Sequence, residues 1–340
     1  MSLWVVRAGK HGEQEEAAVN EQVVCHAWNE LPDYSNLVTK DELGVLYRKT
    51  YPQESEKQVI TNLSQVWRFV HGIEKGDLVA LPRKSESAFL FGRVTGEYEF
   101  RRVAPNVMHT RRVEWLKAVP RSVLPKDILF SMNGALTVFS VQRNEAEDRV
   151  QKLLAAAPGA EVAEKGGDQE TDDVVVSEAV DLEETGRDEI LKFIQANFKE
   201  HDLARLVNAI LVAQGYKTEV SPPGPDGGVD ILAGSGALGF DQPRLCVQVK
   251  SGSSPEGQKT FNELLGVVSK FASQQGLLVS WSGFTNPVKA DARKDFFRIR
   301  LWDQGNIVDA ILKNYERFDD EIKAELPLKR IWVLVNDSAS

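Results

Sequence analysis

Two short apolar stretches, GVDILA at 228–233 and LCVQVKSG at 245–252, decide the fold of the second half of the chain. Each is typical of a β-strand, and the Gly-rich segment between them suits a hairpin. Residues two apart in a strand share a face, so Gln248 and Lys250 project together while the valines beside them face the core. A neighbouring strand that begins at Asp230 would place a carboxylate next to this pair.

An acid, an amide oxygen and a lysine on adjacent strands suit a hard cation with a charge-stabilising partner. Phosphodiester hydrolysis uses this chemistry, because the metal polarises the phosphate and supplies hydroxide while the lysine orients the water or offsets developing charge. The same residues have simpler interpretations. An Asp followed by Gln-x-Lys also occurs on solvated edge strands, and the DGG at 226–228 also suits a turn.

The surrounding pattern predicts an α/β sandwich in which helices cover a central sheet. Apolar spacing predicts helices over 190–198 and 203–211, the second ended by Gly215. We expect strands at Lys217–Val220, Val229–Ala233, Arg244–Lys250, Leu277–Trp281, Phe297–Trp302 and Ile331–Val335, and further helices around 256–274, 286–296 and 305–317.

The segments GYKTEV, DGGVDILA and LCVQVKSG together resemble the catalytic core of Mrr-type restriction endonucleases, a branch of the PD-(D/E)xK superfamily, over about 188–310. The resemblance implies a restriction-endonuclease-like sandwich that hydrolyses DNA with Mg²⁺ (or Mn²⁺). It implies Asp230, Gln248 and Lys250 as catalytic residues. Asp230 and the backbone carbonyl of Val249 would bind the metal, and Asp226 is a further candidate ligand.

One position departs from the family pattern. Members usually carry Glu on the preceding helix, in a Phe-Glu-x-Leu-Val pattern, and Ala204 stands at that place here. Asp202 is near, but two residues along a helix correspond to about 200° of rotation. Two interpretations stay open: a metal site completed by water and the DNA phosphate, or a catalytically impaired nucleic-acid sensor or binding protein.

The first part of the chain, residues 1–155, predicts a small α+β barrel. Its β-like runs lie at Leu3–Arg7, Asp77–Leu81, Phe89–Val94 and Arg111–Leu116, with helices at Glu54–Val70 and Asn144–Ala155. The opening LWVVRAG, the helical Asn62–Val70 and KGDLV at 75–79 resemble EVE and related PUA-superfamily modules. That resemblance implies recognition of a modified or flipped base.

A base pocket needs aromatic faces for stacking and polar groups for the base edge. Trp67, Trp28 and Trp115 are the aromatic candidates, and Gln65 and Asn62 are the polar ones. Aromatic residues of this kind also form ordinary cores. Candidates for phosphate contacts are Arg111, Arg112 and Arg293, although paired arginines on a β surface are more often solvated.

An acidic segment at 156–187 separates the predicted base-recognition domain, 1–155, from the predicted nuclease domain, 188–340. Between Glu161 and Glu189 there are twelve acidic and two basic residues, which gives a local charge of −10. Because the formal net charge of the whole chain is −9, the remaining residues carry a net charge of +1. The segment has no aromatic residue, and we predict a flexible linker. The net charge therefore gives no argument against a polyanionic partner.

Together these features predict a two-domain restriction or anti-phage endonuclease that acts on DNA, including modified DNA. Cutting both strands normally requires two active sites, so we expect a homodimer, at least on DNA. Alternatives are a nuclease for RNA or branched DNA and an interaction module that recruits a protein through the acidic segment. Two distant cysteines exclude a disulfide framework, and the lack of a long apolar run or signal-peptide core predicts a cytoplasmic protein without membrane contact.

Overall fold

The structure is a computed structural model that describes residues 2–9, 12–84, 86–155, 181–222 and 228–333. The chain divides into two compact units, Met1–Asp188 and Glu189–Trp332, and each is described by itself. Within these ranges no helix is both long and apolar enough to cross a membrane. Most of the predicted linker, 156–180, lies outside the described residues.

The first unit is built on a six-stranded mixed sheet. Its strands are β1 (Leu3–Val6), β2 (Val23–Cys25), β3 (Leu78–Arg83), β4 (Ala88–Ala104), β5 (Val107–Pro120) and β6 (Val138–Val141). The order is β2-β5-β4-β3-β1-β6, with β1 and β3 parallel and the other neighbours antiparallel. Because the end strands β2 and β6 do not pair with each other in the described ranges, no closed barrel is found and the predicted PUA/EVE-like barrel is not confirmed.

Five helices accompany this sheet in the described part of the first unit: α1 (Glu15–Asn20), α2 (Lys40–Thr50), α3 (Glu56–His71), α4 (Lys126–Met132) and α5 (Ala146–Ala155). Apolar residues of α4 and α5 pack with Phe89, Phe91 and Phe139 of the sheet. On α3, Phe69 packs instead with Val79 and other strand residues in a separate cluster. The sheet is therefore the shared layer of two cores.

A second set of buried groups in this unit is aromatic and polar. The rings of His26 and His109 stack with their centroids 4.7 Å apart. His26 Nε2 lies 2.6 Å from the Tyr34 hydroxyl, and His109 Nδ1 lies 2.7 Å from the Tyr98 hydroxyl. His109 Nε2 donates to the Leu31 carbonyl at 3.0 Å. Burial lowers the pKa of His109 to about 4 and holds the pKa of His26 well below its usual range, so both rings are neutral near pH 7.

The next helix, α6 (Leu182–Asn197), contains the boundary between the two units. Residues 182–187, which the sequence predicts as linker, are thus helical. Asp188 on this helix accepts two hydrogen bonds from the buried guanidinium of Arg121, at 2.6 and 2.7 Å. Glu184 lies 3.3 Å from the same guanidinium and also pairs with Lys84. Burial would raise the pKa of Glu184, but these cations hold it below its usual value.

The second unit has a five-stranded sheet in the order β11-β10-β9-β8-β7. The strands are β7 (Lys217–Val220), β8 (Ile231–Ser235), β9 (Asp241–Lys250), β10 (Gln275–Ser280) and β11 (Ile299–Trp302). The first three pair antiparallel, whereas β9, β10 and β11 run parallel. The expected strand at Ile331–Val335 is wrong over its described part, because Ile331–Val333 is irregular and Trp332 is 98% exposed.

Helices of the second unit cover both faces of this sheet. They are α7 (His201–Ala213), α8 (Gln258–Lys270), α9 (Asn286–Lys294), α10 (Gln304–Asn314) and α11 (Asp320–Glu325). Residues of α6, α7, α10 and α11 pack on one face around Val247, and residues of α8 and α9 pack on the other around Cys246. Gly215 follows α7 with φ +97°, a left-handed conformation that glycine adopts without strain. The predicted α/β sandwich is therefore present.

We predict that acid weakens the first unit through its neutral histidines. The unfolded chain binds a proton on each His near pH 6.5, whereas folded His109 does so only near pH 4. Stability should be full above pH 6.5 and fall as the pH drops from 6.5 towards 4, by up to about 1.4 kcal/mol per pH unit for each such group. Urea unfolding of the whole chain between pH 7.5 and 5 measures this slope. We expect His109→Gln to reduce the slope of the unfolding free energy against pH, and the control His201→Gln, at an exposed residue, to leave it unchanged. Equal slopes in the wild type and both variants would contradict a role for His109.

We also predict a large stability loss for Asp188→Ala. The substitution removes both bonds that the buried Arg121 guanidinium makes to this carboxylate, and breaking a buried ion pair costs about 3–5 kcal/mol. The control is Glu56→Ala, which breaks the exposed ion pair with Arg48 and should change stability little. Thermal and urea unfolding compare the two variants. Similar small losses of stability would argue against a stabilising role for the Arg121–Asp188 ion pair.

Candidate active site

Strand β9 has a buried apolar cluster on each of its two faces. Val247 is fully buried in the cluster on the α7 side of the sheet, whereas Cys246 belongs to the cluster on the α8 side. Side chains alternate along a strand, so Gln248 and Lys250 lie on the Cys246 side. Ser280 of β10 lies beside Lys250 in the parallel ladder. The structure thus brings the two residues to one face, as the sequence predicts.

Asp230 immediately precedes β8 and is held by backbone bonds on both sides. Its N–H donates to the Val247 carbonyl at 3.0 Å, and its own carbonyl accepts from the Ser221 N–H at 2.9 Å. The antiparallel register pairs Ile231 with Val247, so the preceding step places Asp230 opposite Gln248. The Asp230 carboxylate accepts a hydrogen bond from the Val249 N–H at 2.7 Å. This bond fixes the carboxylate at the end of β9.

Gln248 contributes a buried amide oxygen to this strand end. The residue is only 5% exposed, and its Oε1 is buried without a hydrogen-bond partner among the described residues. Leaving a buried acceptor unsatisfied costs about 1–3 kcal/mol, so such an atom calls for a ligand or another role. The neighbouring Asp230 carboxylate makes a cation the natural partner for this oxygen, because Mg²⁺ prefers oxygen donors.

The end of β9 also contacts the beginning of α7. The Lys250 carbonyl accepts from the Trp281 N–H at 2.9 Å, and the Ser251 hydroxyl accepts from the Glu200 N–H at 3.1 Å. Ala204 is buried within α7, at 4% exposure.

The donor set fits a hard divalent cation. Asp230 offers a carboxylate, Gln248 a buried amide oxygen without a protein partner, and Val249 a backbone carbonyl. In the part of the chain that the structure describes, no three His, Cys, Asp or Glu side chains group closely enough to bind a metal by themselves. The three oxygen donors at this site suit Mg²⁺ or Mn²⁺, because carboxylate and carbonyl oxygens are the ligands that these ions prefer. Asp226, the further candidate ligand, lies outside the described residues.

Three of the predicted base-binding residues of the first unit lie in its interior. Gln65 Oε1 accepts from the Thr137 and Val138 N–H groups at 2.6 and 3.2 Å, which ties α3 to β6. Asn62 is buried and accepts from the Gln65 amide at 3.3 Å. Trp28 is buried in the cluster that joins α2 and α3. These contacts give all three residues a structural role.

Trp67 and Trp115 are the base-binding candidates that stay partly exposed. The ring of Trp67 lies over the imidazole of His71, with 3.9 Å between centroids. Trp115 on β5 donates through its indole Nε1 to the Ala18 carbonyl at 3.3 Å. Trp67 packs beside the α2–α3 cluster and Trp115 beside two others, so the structure does not unite them in one cluster.

The phosphate-contact candidates divide by exposure. Arg111 is 1% exposed, and its guanidinium donates to the Phe69 carbonyl at 2.7 Å and to the Val70 carbonyl. We therefore no longer propose Arg111 as a phosphate ligand. Arg112 is exposed and pairs with Glu99 at 3.0 Å, and Arg293 is exposed on α9. Only these two remain accessible to a polyanion.

No curated protein matches this chain. Two solved structures show low overall similarity, each with 12% identity and a TM-score of 0.33. One is the DNA modification-dependent restriction endonuclease AspBHI, with coverage of 81% of this chain and 74% of that chain. The other is the MspJI restriction endonuclease in complex with a 27-mer oligonucleotide, with coverage of 96% and 79%. At this level of similarity neither structure assigns a role to any residue here.

Family comparisons separate the two parts of the chain. Residues 4–141 match a domain of unknown function (DUF8426), and the EVE and PUA resemblance is not confirmed. Residues 195–311, which include Asp230, Gln248 and Lys250, match the restriction endonuclease family Mrr_cat. The predicted Mrr-type resemblance is thereby confirmed over residues 195–311.

Proposed function

We propose that this protein is a Mg²⁺-dependent (or Mn²⁺-dependent) DNA endonuclease of the restriction type. The observation that carries the proposal is the buried, unpartnered Oε1 of Gln248 beside the Asp230 carboxylate, on the strand face that also bears Lys250. An unsatisfied buried acceptor is costly, and a cation bound beside the Asp230 carboxylate would satisfy it. A cytoplasmic location is part of the proposal, since DNA is the substrate.

Three groups would hold the cation: the Asp230 carboxylate, Gln248 Oε1 and the Val249 carbonyl. When bound, the metal polarises the phosphate and lowers the pKa of a water molecule. Lys250 is placed two residues after Gln248 on the same face, where its ammonium orients the attacking water and offsets charge that develops on the phosphate. The bond from the Val249 N–H keeps the Asp230 carboxylate in place throughout.

We propose further that the first unit selects the target, including a modified base. Support comes from Trp67, whose partly exposed ring packs against His71 at an interplanar angle of 32° and offers an aromatic face for a base. Trp115 is the second exposed candidate. The buried Trp28, Gln65 and Asn62 would support this surface rather than touch the base.

The proposed function also involves two domains and a homodimer. We propose domains at 1–155 and 188–340 joined by the acidic segment 156–187, with a homodimer on DNA because each strand needs its own active site. Arg112 and Arg293 are the proposed phosphate contacts. An anti-phage role would follow from cutting of modified foreign DNA.

A sensor or binding protein without cleavage is the second candidate function. The observation that favours it is the buried Ala204, which offers no carboxylate at the position where the family resemblance implies Glu. Such a protein would bind DNA with the same surfaces and would not cut it with any divalent metal. RNA or branched DNA are alternative substrates that competition with duplex DNA would reveal.

The first test is Lys250→Ala, with cleavage of unmodified and cytosine-modified duplex DNA measured in Mg²⁺. We expect the rate to fall by roughly 100-fold or more, because the ammonium acts on charge that develops in the transition state. DNA binding should stay nearly unchanged, and Asp230→Ala should show the same pattern. The matched control is Lys259→Ala, which removes the same charge from the exposed surface of α8.

Comparable cleavage rates for Lys250→Ala and the wild type would show that Lys250 is not a catalytic residue. Binding without cutting in the wild type, under several divalent metals, would favour the sensor. Cutting of both substrates at equal rates would keep the nuclease and discard the modified-base reader.

For the first unit, we expect Trp67→Ala to reduce the preference for modified over unmodified duplex without altering Mn²⁺ binding. The substitution removes the stacking face, and base–aromatic stacking contributes about 1–3 kcal/mol. Competition binding between the two duplexes measures the preference. Phe130→Ala is the control, because Phe130 is an exposed aromatic residue of the same unit. If Trp67→Ala keeps full selectivity, the pocket lies elsewhere.

A further inference from the structure

The hairpin that joins β4 to β5 in the first unit extends past the strands beside it. Strand β3 pairs with β4 only as far as Arg93, and β2 pairs with β5 only over Thr110–Arg112. The ladder between β4 and β5 continues to the pair Ala104–Val107. Residues 100–109, which we call the β4–β5 ribbon, therefore form two paired strands with no third strand beside them among the described residues.

A bulge in the β4–β5 ribbon carries two neighbouring arginines. Three residues of β4, 101–103, lie opposite the single residue Met108 of β5. Extra residues in a bulge leave the regular alternation of a strand, so two adjacent side chains can both reach solvent. Arg101 and Arg102 are both exposed. The bulge thus presents two guanidinium groups side by side.

Contacts with the rest of the first unit hold the end of the ribbon in place. Val107 is fully buried in an apolar cluster that includes residues of α1. Gln14, which precedes α1, donates from Nε2 to the Asn106 carbonyl. The Met108 N–H donates to Asn29 Oδ1 at 3.3 Å. The two arginines therefore extend from a backbone that is fixed on three sides, and less conformational freedom has to be lost when they bind a partner.

The sequence around the bulge is basic. From 101 to 112 it contains four arginines and no Asp or Glu, and His109 is neutral near pH 7. Glu97 and Glu99 precede the bulge, so four positive and two negative charges give residues 97–112 a net charge of +2. A surface with this excess of positive charge attracts anions.

The ion pairs of this region leave a guanidinium group available. Glu99 lies 3.0 Å from Arg112 and 3.5 Å from Arg101, so one carboxylate is shared by two arginines. Arg102 makes no ion pair within the part of the chain that the structure describes. Its guanidinium carries five N–H donors in a planar fork, a geometry that matches the oxygens of a phosphate group. Arg101 is 54% exposed and can bind an anion next to it.

We propose that Arg101 and Arg102 bind the phosphate backbone of duplex DNA and position the first unit on its target. This inference rests on the proposed function, in which that unit selects the target. Residues 97–112, all of them described, expose no large apolar side chain, whereas the cores of protein–protein interfaces are apolar. Phosphate contacts fix position and affinity and leave the choice of base to other groups.

The test is binding of the full-length protein to an unmodified duplex oligonucleotide over a series of salt concentrations, with a chelator present to prevent cutting. Each phosphate contact on B-DNA contributes about 0.9 to the slope of log affinity against log salt. We expect Arg101→Ala combined with Arg102→Ala to reduce this slope by roughly two and the affinity at low salt by roughly tenfold. Arg143→Ala, which removes an exposed arginine just before α5, should bind as the wild type does.

Two further measurements separate a phosphate contact from other roles. Arg101→Lys combined with Arg102→Lys keeps both charges, so it should keep the salt slope and lose part of the affinity, because lysine cannot form the paired bonds. The preference for modified over unmodified duplex should equal that of the wild type in every one of these variants. Thermal unfolding of the double alanine variant should also match the wild type, since both side chains are exposed.

The outcomes distinguish this inference from the proposed function. If the wild type binds DNA and the double alanine variant has the same affinity and salt slope, the role of the β4–β5 ribbon is overturned and the proposed nuclease stands. Loss of the preference for modified duplex with an unchanged slope would also overturn it, because that result indicates contacts with bases. If the wild type itself does not bind duplex DNA, the proposed function fails, and this inference fails with it.

Discussion

The alternation of side chains along β9 is the constraint on which the second unit depends. Val247 and Cys246 must each enter a different apolar cluster, since the strand is covered by helices on both faces. Shifting the register by one residue would exchange these faces and place a valine where Lys250 now lies. The same pairing that fixes the core therefore fixes the positions of the chemical groups. Asp230, Gln248 and Lys250 therefore meet at the end of β9, where Gln248 is still buried and Lys250 is partly exposed.

In the first unit, several long polar side chains are buried and bind backbone groups. Arg111 and Gln65 both end on backbone groups: the arginine donates to carbonyls at the end of α3, and the glutamine accepts from the N–H groups of 137 and 138. Buried backbone groups without partners are costly, and these side chains provide the partners. Residues whose chemistry suits a nucleic-acid contact are thus used to join a helix to the sheet.

Much of the second unit could be predicted from the sequence, because most of its strands are short apolar runs bounded by turn residues, and the remaining one follows the glycine that ends α7. Lys217–Val220 is predicted with the bounds that the structure shows, and Asp230, Gln248 and Lys250 fall on one face as the two-residue period requires. Burial of individual arginines could not be predicted. In the pair Arg111–Arg112, alternation sends one side chain inward and one outward, and nothing in the pair itself says which one.

Contacts between residues far apart in sequence explain why strand lengths in the first unit differ from the predicted ones. The sequence predicts two strands of about six residues where β4 and β5 have 17 and 14, because each strand completes the ladder of the other well beyond its apolar part. Antiparallel pairing stabilises polar residues that carry no strand signal of their own. The orphan oxygen of Gln248 is likewise a property of its surroundings, since the same glutamine on an open edge would be solvated.

The charge count of the acidic segment does not reveal which of its carboxylates form ion pairs in the folded protein. Counted by sequence, Asp181, Glu184 and Asp188 belong to a stretch of local charge −10 that predicts a solvated tether. In the structure, these three carboxylates contact Arg7 and Arg121. Burial alone would raise the pKa of Glu184, and the neighbouring cations reverse that shift, so ion pairs keep this buried carboxylate ionised. These acids therefore act as counterions for buried arginines, and less of the acidity remains for an external partner than the sequence count suggests.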